Sequence, residues 1–235
     1  VSMSFLPLSH VYERMWVAYV FHKGVINCYL DDTNRVAEAL KEVKPHYMCV
    51  VPRLLEKIYT KIYENVGKQS LVKRIIFAAA TRIAKIQLGR TKKGKYPSFV
   101  LKKFYNVADK LVFQKLKAAL GGNIQMIPCG GALLEPSIGR FFRAIGVNVT
   151  LGYGMTETTA TVSCWDDKKF KLKSVGTLVP HIQAKIGENN EILLKGGSIT
   201  KGYYNNPEEN AKAFTKDGFW RTGDAGYIDK EGNIA

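Results

Sequence analysis

The sequence lacks the features that mark a membrane-spanning, secreted or zinc-organised protein. Its 235 residues contain no run of about 18 apolar residues and no signal-peptide pattern. Its four cysteines show neither C-x-x-C spacing nor paired histidines, which argues against a disulfide or zinc framework. A complete Gly-x-x-x-x-Gly-Lys-Ser/Thr phosphate-binding loop is also absent. The apolar fraction of 46% and the charged fraction of 23% are those of a soluble globular protein, and we expect a cytoplasmic location.

Acidic residues are almost absent from one segment, residues 57–117. It contains 16 lysines and arginines against only Glu64 and Asp109, so it carries nearly all of the chain's net charge of +15. Such a charge run is usually a solvated helical face. The open alternative is peripheral contact between residues 68–117 and the inner face of an anionic membrane. We do not expect nucleic acid as a partner, because no nucleic-acid-binding motif accompanies the charge.

The same part of the chain is predicted to be a helical insertion, at about residues 68–120. An apolar stripe recurs there at helical spacing, with lysines and arginines on the other side. The stripe consists of Val72, Ile75, Ile76, Ala79 and Ile83. It either packs on the core of the domain, which is the commoner arrangement, or lies on a bilayer surface.

Residues 124–151 predict a strand, a loop, a helix and a second strand. An apolar run at 124–128 precedes a glycine-bearing loop, Pro136 suits the first position of a helix, and Gly146 suits its end. A second apolar run covers 147–151. Strands joined in this way are parallel with a right-handed crossover, so the loops after both strands lie at one edge of the sheet.

The pattern of predicted helices, strands and turns divides the chain into two parts. Residues 1–174 contain this β-loop-α-β unit and the basic insertion, and we predict an α/β subdomain with a parallel sheet. From Val175 onward the pattern changes to short strands and turns. Residues 175–235 are therefore predicted to begin a small, mostly β subdomain.

A glycine-rich stretch directly follows the second strand of the β-loop-α-β unit. Gly152 and Gly154 allow backbone conformations closed to other residues, and Tyr153 offers a flat face for a ring. Thr156 and Glu157 supply a hydroxyl and a carboxylate, which suit a phosphate oxygen and a hard cation. Because open α/β sheets bind ligands at the carboxyl ends of their strands, the pattern predicts a nucleotide site here.

Several motifs occur in a fixed order along the chain. They are Leu-Pro-Leu-Ser-His at 6–10, Gly-Gly-Ala at 130–132, Gly-Tyr-Gly-Met-Thr-Glu-Thr at 152–158, Gly-Tyr-Tyr-Asn-Asn-Pro-Glu at 202–208 and Arg-Thr-Gly-Asp at 221–224. In order and rough spacing they resemble the acyl-adenylate-forming (AMP-binding) enzymes, and the resemblance covers essentially the whole chain.

Within that superfamily the chain looks like a long-chain fatty acid–CoA ligase. The features that suggest it are Val-Pro-Arg-Leu-Leu-Glu-Lys-Ile at 51–58 and the basic insertion after it. The resemblance implies a fatty acid, ATP and coenzyme A as substrates and Mg²⁺ as the metal. Two alternatives stay open: another acyl- or aryl-acid adenylating enzyme, and a non-catalytic basic membrane-docking module. Neither acyl chain length nor oligomeric state follows from the sequence.

The resemblance also implies a nucleotide-binding set. Its members are Gly130, Gly131, Ala132, Gly152, Tyr153, Gly154, Thr156 and Asp224. In this set Tyr153 stacks on adenine against the small residues at 130–132. Asp224 accepts the ribose hydroxyls, although an Asp in such a position can also satisfy only its own turn.

The catalytic set implied by the resemblance is smaller. Thr156 bonds the α-phosphate, Glu157 holds Mg²⁺ between the phosphates, and His10 lies beside the fatty-acyl carboxylate. The superfamily's phosphate loop is expected upstream of Leu6, and its hinge, C-terminal domain and adenylation lysine beyond Ala235. We therefore expect the chain to be a central fragment that is inactive alone.

Overall fold

A computed structural model describes residues 1–92, 94, 96–167 and 170–235. The helices are α1 (Val11–His22), α2 (Val36–Val43), α3 (Pro52–Gly67), α4 (Leu71–Lys92), α5 (Phe99–Ala108), α6 (Gln114–Ala118), α7 (Pro136–Ala144) and α8 (Pro207–Ala213). The strands are β1 (Ser2–Ser4), β2 (Asn27–Tyr29), β3 (Tyr47–Met48), β4 (Ile127–Cys129), β5 (Val149–Tyr153), β6 (Ser163–Cys164), β7 (Gly176–Leu178), β8 (Ile182–Ile186), β9 (Glu191–Gly196), β10 (Trp220–Ala225) and β11 (Asn233–Ile234). Lys93 and Lys95 of the basic insertion lie outside the described residues.

Parallel strands form the centre of the fold. β1 pairs in parallel with both β2 and β3. Two parallel bridges, Tyr47 to Met126 and Val50 to Cys129, continue the pairing from the end of β3 to β4. β4 in turn pairs in parallel with β5. The predicted α/β fold with a parallel sheet is confirmed, and its main core lies between these strands and the packed faces of the helices.

The predicted β-loop-α-β unit is β4, α7 and β5. Helix α7 begins at Pro136, as predicted, and Glu135 caps it by accepting bonds from two backbone amides. β5 extends to Tyr153, two residues beyond the predicted strand. The extension occurs because Gly152 and Tyr153 pair with Cys164 and Ser163 of β6, a long-range pairing that no local pattern reveals.

Antiparallel strands follow the parallel ones. β6, β7 and β11 extend the sheet beyond β5 in the order β5-β6-β7-β11, and β8, β9 and β10 form a separate three-stranded sheet. The predicted boundary between residues 174 and 175 falls just before β7, which pairs with β6 on one side and β11 on the other. That boundary stays a prediction.

Within the basic insertion, helices α4 and α5 pack against each other and α6 follows them. Helix α4 turns Phe77, Ala80 and Ala84 into the core. Most of the predicted stripe lies on the other side: Val72 is 66% exposed and Ile75 is 60% exposed. The interpretation that this stripe packs on the domain core is therefore wrong for these residues, since a second, smaller apolar face makes that contact. None of the helices formed by the described residues has the length and apolarity needed to cross a bilayer.

Candidate functional site

Two glycine-bearing loops leave the sheet side by side. Cys129 of β4 lies opposite Leu151 of β5 in a parallel register, so the loop at 130–132 starts beside Gly152. A Cβ atom on Gly130 would lie 3.2 Å from the Tyr12 ring, and Gly131 has a φ of +85°. Both positions therefore favour glycine, and the two loops meet at the carboxyl edge as predicted.

The turn after β5 is tight because the chain folds back on itself. A Cβ atom on Gly154 would lie 1.5 Å from the carbonyl oxygen of Ala160, which no other residue type could accommodate. The Thr158 hydroxyl accepts a bond from the Met155 amide at 2.9 Å and lies 3.0 Å from the Ala160 carbonyl oxygen. The protein's own backbone thus already requires glycine at 154, independently of any ligand.

Tyr153 and Asp224, predicted to bind the two halves of a nucleoside, contact each other. The Tyr153 hydroxyl donates to Oδ2 of Asp224 at 2.6 Å. Burial raises the pKa of Tyr153, and the hydrogen bond to Asp224 acts in the same direction. The ring is half-buried, while the Asp224 carboxylate is exposed. The contact joins the motif after β5 to the motif in β10.

The turn that carries Asp224 is an irregularity in β10. The register between β10 and β9 shifts between Arg221 and Ala225. Oε1 of Glu191 accepts from the Gly223 amide at 3.1 Å and Oε2 pairs with Arg221 at 2.9 Å. The Glu191 carboxylate makes the contacts that stabilise this turn. The Asp224 carboxylate is therefore available to accept the bond from Tyr153. The alternative that Asp224 satisfies its own turn does not describe this geometry.

Thr156 and Glu157 lie in the short 3-10 helix after the Gly154 turn. Thr156 is exposed, and Oε1 of Glu157 accepts a bond from the Tyr203 hydroxyl at 2.9 Å. The described residues contain no cluster of three or more His, Cys, Asp or Glu side chains that could hold a metal ion by themselves. The further ligands of a metal at Glu157 would therefore have to include groups from the nucleotide or water.

His10 lies at the same edge of the sheet, at the N-cap of α1. Its side chain is exposed, and its amide donates to the Pro7 carbonyl at 3.0 Å. Sequence analysis missed Tyr12, two residues further on, whose ring faces Gly130. An aromatic residue in the first turn of a helix that starts at this edge is the signal that could have found it. Cys129 is buried, and burial raises the pKa of its thiol to about 12, so it is unsuited to act as a nucleophile.

Curated relatives of the chain are named as long-chain fatty acid–CoA ligases. Long-chain-fatty-acid–CoA ligase FadD15 of Mycobacterium bovis is 35% identical over 228 residues, which are 97% of this chain and 37% of that protein. Long-chain-fatty-acid–CoA ligase 6 of Rattus norvegicus is 31% identical over 247 aligned residues, covering 100% of this chain and 34% of that protein. The chain thus spans little more than a third of the length of these relatives.

Solved structures share the fold. o-Succinylbenzoate CoA synthetase (MenE) of Bacillus subtilis matches with a TM-score of 0.66 and 19% identity, over 99% of this chain and 39% of that one. The N-terminal domain of FACL13 from Mycobacterium tuberculosis matches with a TM-score of 0.65 and 20% identity, over 99% of this chain and 49% of that one. The sequence profile of the AMP-binding enzymes matches residues 1–204. Since that match takes in most of the chain and all of the site except Asp224, the chain belongs to the AMP-binding enzyme family.

Proposed function

We propose that the chain is the adenylate-binding part of an enzyme that activates a long-chain fatty acid and transfers it to coenzyme A. The observation that carries the proposal is the bond between Tyr153 and Asp224, which brings two separate motifs to one site. The choice of a long-chain fatty acid as the substrate is supported by the names of the relatives. In the first step the fatty-acid carboxylate attacks the α-phosphorus of ATP, giving acyl-AMP and pyrophosphate. In the second, the thiolate of coenzyme A attacks the acyl carbon and AMP leaves.

Tyr153 and Asp224 would hold the nucleoside. The half-buried Tyr153 ring offers a face to adenine beside the small residues at 130–132. Its hydroxyl occupies only one lone pair of the Asp224 carboxylate, which has capacity left for the ribose hydroxyls. The bond between the two side chains would fix the base-binding ring relative to the sugar-binding carboxylate, and such positioning supplies much of the catalysis in this chemistry.

Thr156, Glu157 and His10 would serve the reacting groups. The exposed Thr156 hydroxyl can donate to an α-phosphate oxygen. Glu157 suits Mg²⁺, which is commonly held by one or two carboxylates together with substrate phosphates. When bound, Mg²⁺ would neutralise the phosphate charge. His10, exposed at the start of α1, would orient the fatty-acyl carboxylate rather than transfer a proton.

Nucleotide binding by the chain tests the site. We expect Tyr153→Ala and Asp224→Ala each to weaken AMP binding by about tenfold or more, because each removes a principal contact. Tyr227→Ala, at a side chain that is 61% exposed, is the matched control. Isothermal titration calorimetry measures the affinities. Equal affinities for all four proteins would contradict the proposed site.

Turnover tests the reaction. The relatives carry nearly two thirds of their length outside the matched part, so we expect this chain alone to release no pyrophosphate from palmitate and ATP. A longer protein that contains it is expected to do so and to form palmitoyl-CoA. Rates for acids of different chain lengths, with an aryl acid included, separate this proposal from another branch of the family. Pyrophosphate release by the chain alone would contradict the first expectation.

We also propose that the enzyme contacts an anionic membrane through α5 and the π-helical turn after it, Asp109–Phe113. An exposed apolar stripe follows helical spacing along this face and consists of Val100, Phe104, Val107 and Leu111. Lys103 and Lys110 lie on the same flank of the stripe and are exposed. Apolar residues bordered by lysines match the chemistry of an anionic bilayer surface.

Vesicle sedimentation tests this contact. We expect the double variant Lys103→Glu, Lys110→Glu to lower binding to phosphatidylserine vesicles at least about tenfold, since each basic residue near the surface contributes about 1 kcal/mol. The control is Lys201→Glu, Lys216→Glu, which makes the same change of charge at exposed lysines elsewhere. Equal loss in both double variants, or no vesicle binding by the unmodified chain, would contradict the proposal. In the latter case another segment of a longer protein would be the expected cover for the stripe.

A further inference from the structure

The carboxylate assigned to magnesium is held by a tyrosine from a distant part of the chain. The Tyr203 hydroxyl donates to Oε1 of Glu157 at 2.9 Å, across 46 residues of sequence. The backbone is tied at the same place, because the Thr200 amide donates to the Glu157 carbonyl at 2.7 Å. The segment before α8 therefore contacts both the side chain and the main chain of Glu157.

Tyr203 is itself fixed in position. Oδ1 of Asn210 accepts from the Tyr203 amide at 2.6 Å, and Nδ2 of Asn210 donates to the Tyr203 carbonyl at 2.8 Å. The Tyr203 ring packs edge-on against Trp220, with 5.8 Å between ring centroids. A Cβ atom on Gly202 would lie 2.7 Å from Oδ1 of Asn210, so the close approach of Asn210 depends on glycine there. These contacts fix the position of Tyr203 as a hydrogen-bond donor, although 41% of its surface is exposed.

We propose that Tyr203 is a positioning residue for Glu157 in metal binding. By bonding Oε1, Tyr203 would orient the carboxylate and leave Oε2 available as a ligand for a metal ion. This orientation matters because Mg²⁺ demands nearly ideal octahedral geometry, and hydrogen bonds to its ligands tune its binding. The inference rests on the proposed function of Glu157.

The test compares Tyr203→Phe with Tyr204→Phe in the chain. The neighbouring Tyr204 is 93% exposed, so its variant is the matched control. Calorimetry of ATP binding at a series of Mg²⁺ concentrations gives the half-saturating Mg²⁺. Loss of a bond to a metal ligand typically weakens metal affinity 10- to 100-fold, so we expect Tyr203→Phe to raise this concentration about tenfold or more. ATP binding without Mg²⁺ is expected to be unchanged, because the ring and its packing on Trp220 remain.

The outcomes distinguish a failure of the Tyr203 role from a failure of the proposed role of Glu157. Equal half-saturating Mg²⁺ in both variants would overturn the role of Tyr203 and leave the proposed nucleotide site standing. If Mg²⁺ does not strengthen ATP binding even in the unmodified chain, the role of Glu157 fails and the role of Tyr203 fails with it.

A spectroscopic measurement tests the contact without any ligand. The bond to Glu157 raises the pKa of Tyr203, because removing the proton would place two negative charges side by side. We expect Glu157→Gln to lower the pKa of Tyr203 in a titration followed by NMR of ¹³C-labelled tyrosine, with Tyr204 as the internal reference. An unchanged Tyr203 titration would overturn the inference even if Tyr203→Phe proved unstable.

Discussion

Single residues of the site depend on partners far away in the sequence. Tyr153 bonds Asp224 across 71 residues, and Glu157 bonds Tyr203 across 46. Each motif can be recognised locally, but no local pattern pairs Tyr153 with Asp224 or Glu157 with Tyr203. The roles assigned to Thr156 and His10 remain predictions.

Glu13 is a buried carboxyl group outside the predicted set. It is 1% exposed, and neither carboxylate oxygen has a hydrogen-bond partner among the described residues. Burial raises its pKa from 4.5 to about 7. Glu13 therefore binds its proton more tightly in the folded chain than in the unfolded chain.

This burial predicts a dependence of stability on pH. The favourable effect of the raised pKa is fully present below about pH 4.5 and is lost as the pH rises through 7, which corresponds to about 3 kcal/mol. We expect Glu13→Gln to be more stable than the unmodified chain at pH 8 and no more stable at pH 4.5. Urea unfolding at the two pH values measures the difference. An advantage of Glu13→Gln that is equal at both pH values would contradict this explanation.

At the scale of elements, the turn after β5 is the most constrained connection of the site. Gly154 approaches the Ala160 carbonyl, while Thr159 and Ala160 have positive φ values of 54° and 71°. From the sequence, Gly154 was expected only to allow backbone conformations closed to other residues. The contact with Ala160 adds a requirement from within the fold.

Gly154→Ala therefore tests the turn itself. Because the added methyl group would overlap the Ala160 carbonyl, we expect it to lower the free energy of unfolding by about 3 kcal/mol or more. Gly197→Ala is the control, since a Cβ atom there would have nothing within 4 Å. Its effect should stay within about 0.5 kcal/mol. Equal urea midpoints for the two variants would show that the turn relaxes freely.

Helix α4 shows where helical periodicity stops being informative. The spacing of its apolar residues predicted the helix, but α4 has two apolar faces that both follow helical spacing. Phe77, Ala80 and Ala84 turn to the core, while Val72 and Ile75 remain exposed. Because helical spacing alone does not choose between the two faces, packing against α5 and α7 decides which one is buried.

At the scale of the whole molecule, the antiparallel part has a hydrophobic core of its own. Its fully buried members among the described residues are Val162, Ile192, Leu194 and Ile234. Ile234 is 1% exposed and lies in β11, which pairs with β7. The last strand of the chain therefore closes a core that contains residues from β9 and from the segment before β6.

Ile234→Ala tests the contribution of this second core. We expect it to lower the free energy of unfolding by about 2–4 kcal/mol, the usual effect of removing a buried aliphatic side chain. The same substitution at Ile26, which is 70% exposed, should have little effect. Urea unfolding followed by tryptophan fluorescence measures both. A small effect at Ile234 would mean that β11 is dispensable for the fold.

The sequence by itself determined the α/β class, the β-loop-α-β unit and the membership in the AMP-binding family. The fold class and the unit follow from apolar periodicity and turn residues, and the family follows from the resemblance of the ordered motifs to those of its members. All of these are local properties of the chain. The tertiary structure alone decided the bond from Tyr153 to Asp224, the hold of Tyr203 on Glu157 and the exposed face of α4. The reason is physical: a hydrogen bond or a buried face needs two surfaces brought together by the whole fold, and local spacing specifies only one of them.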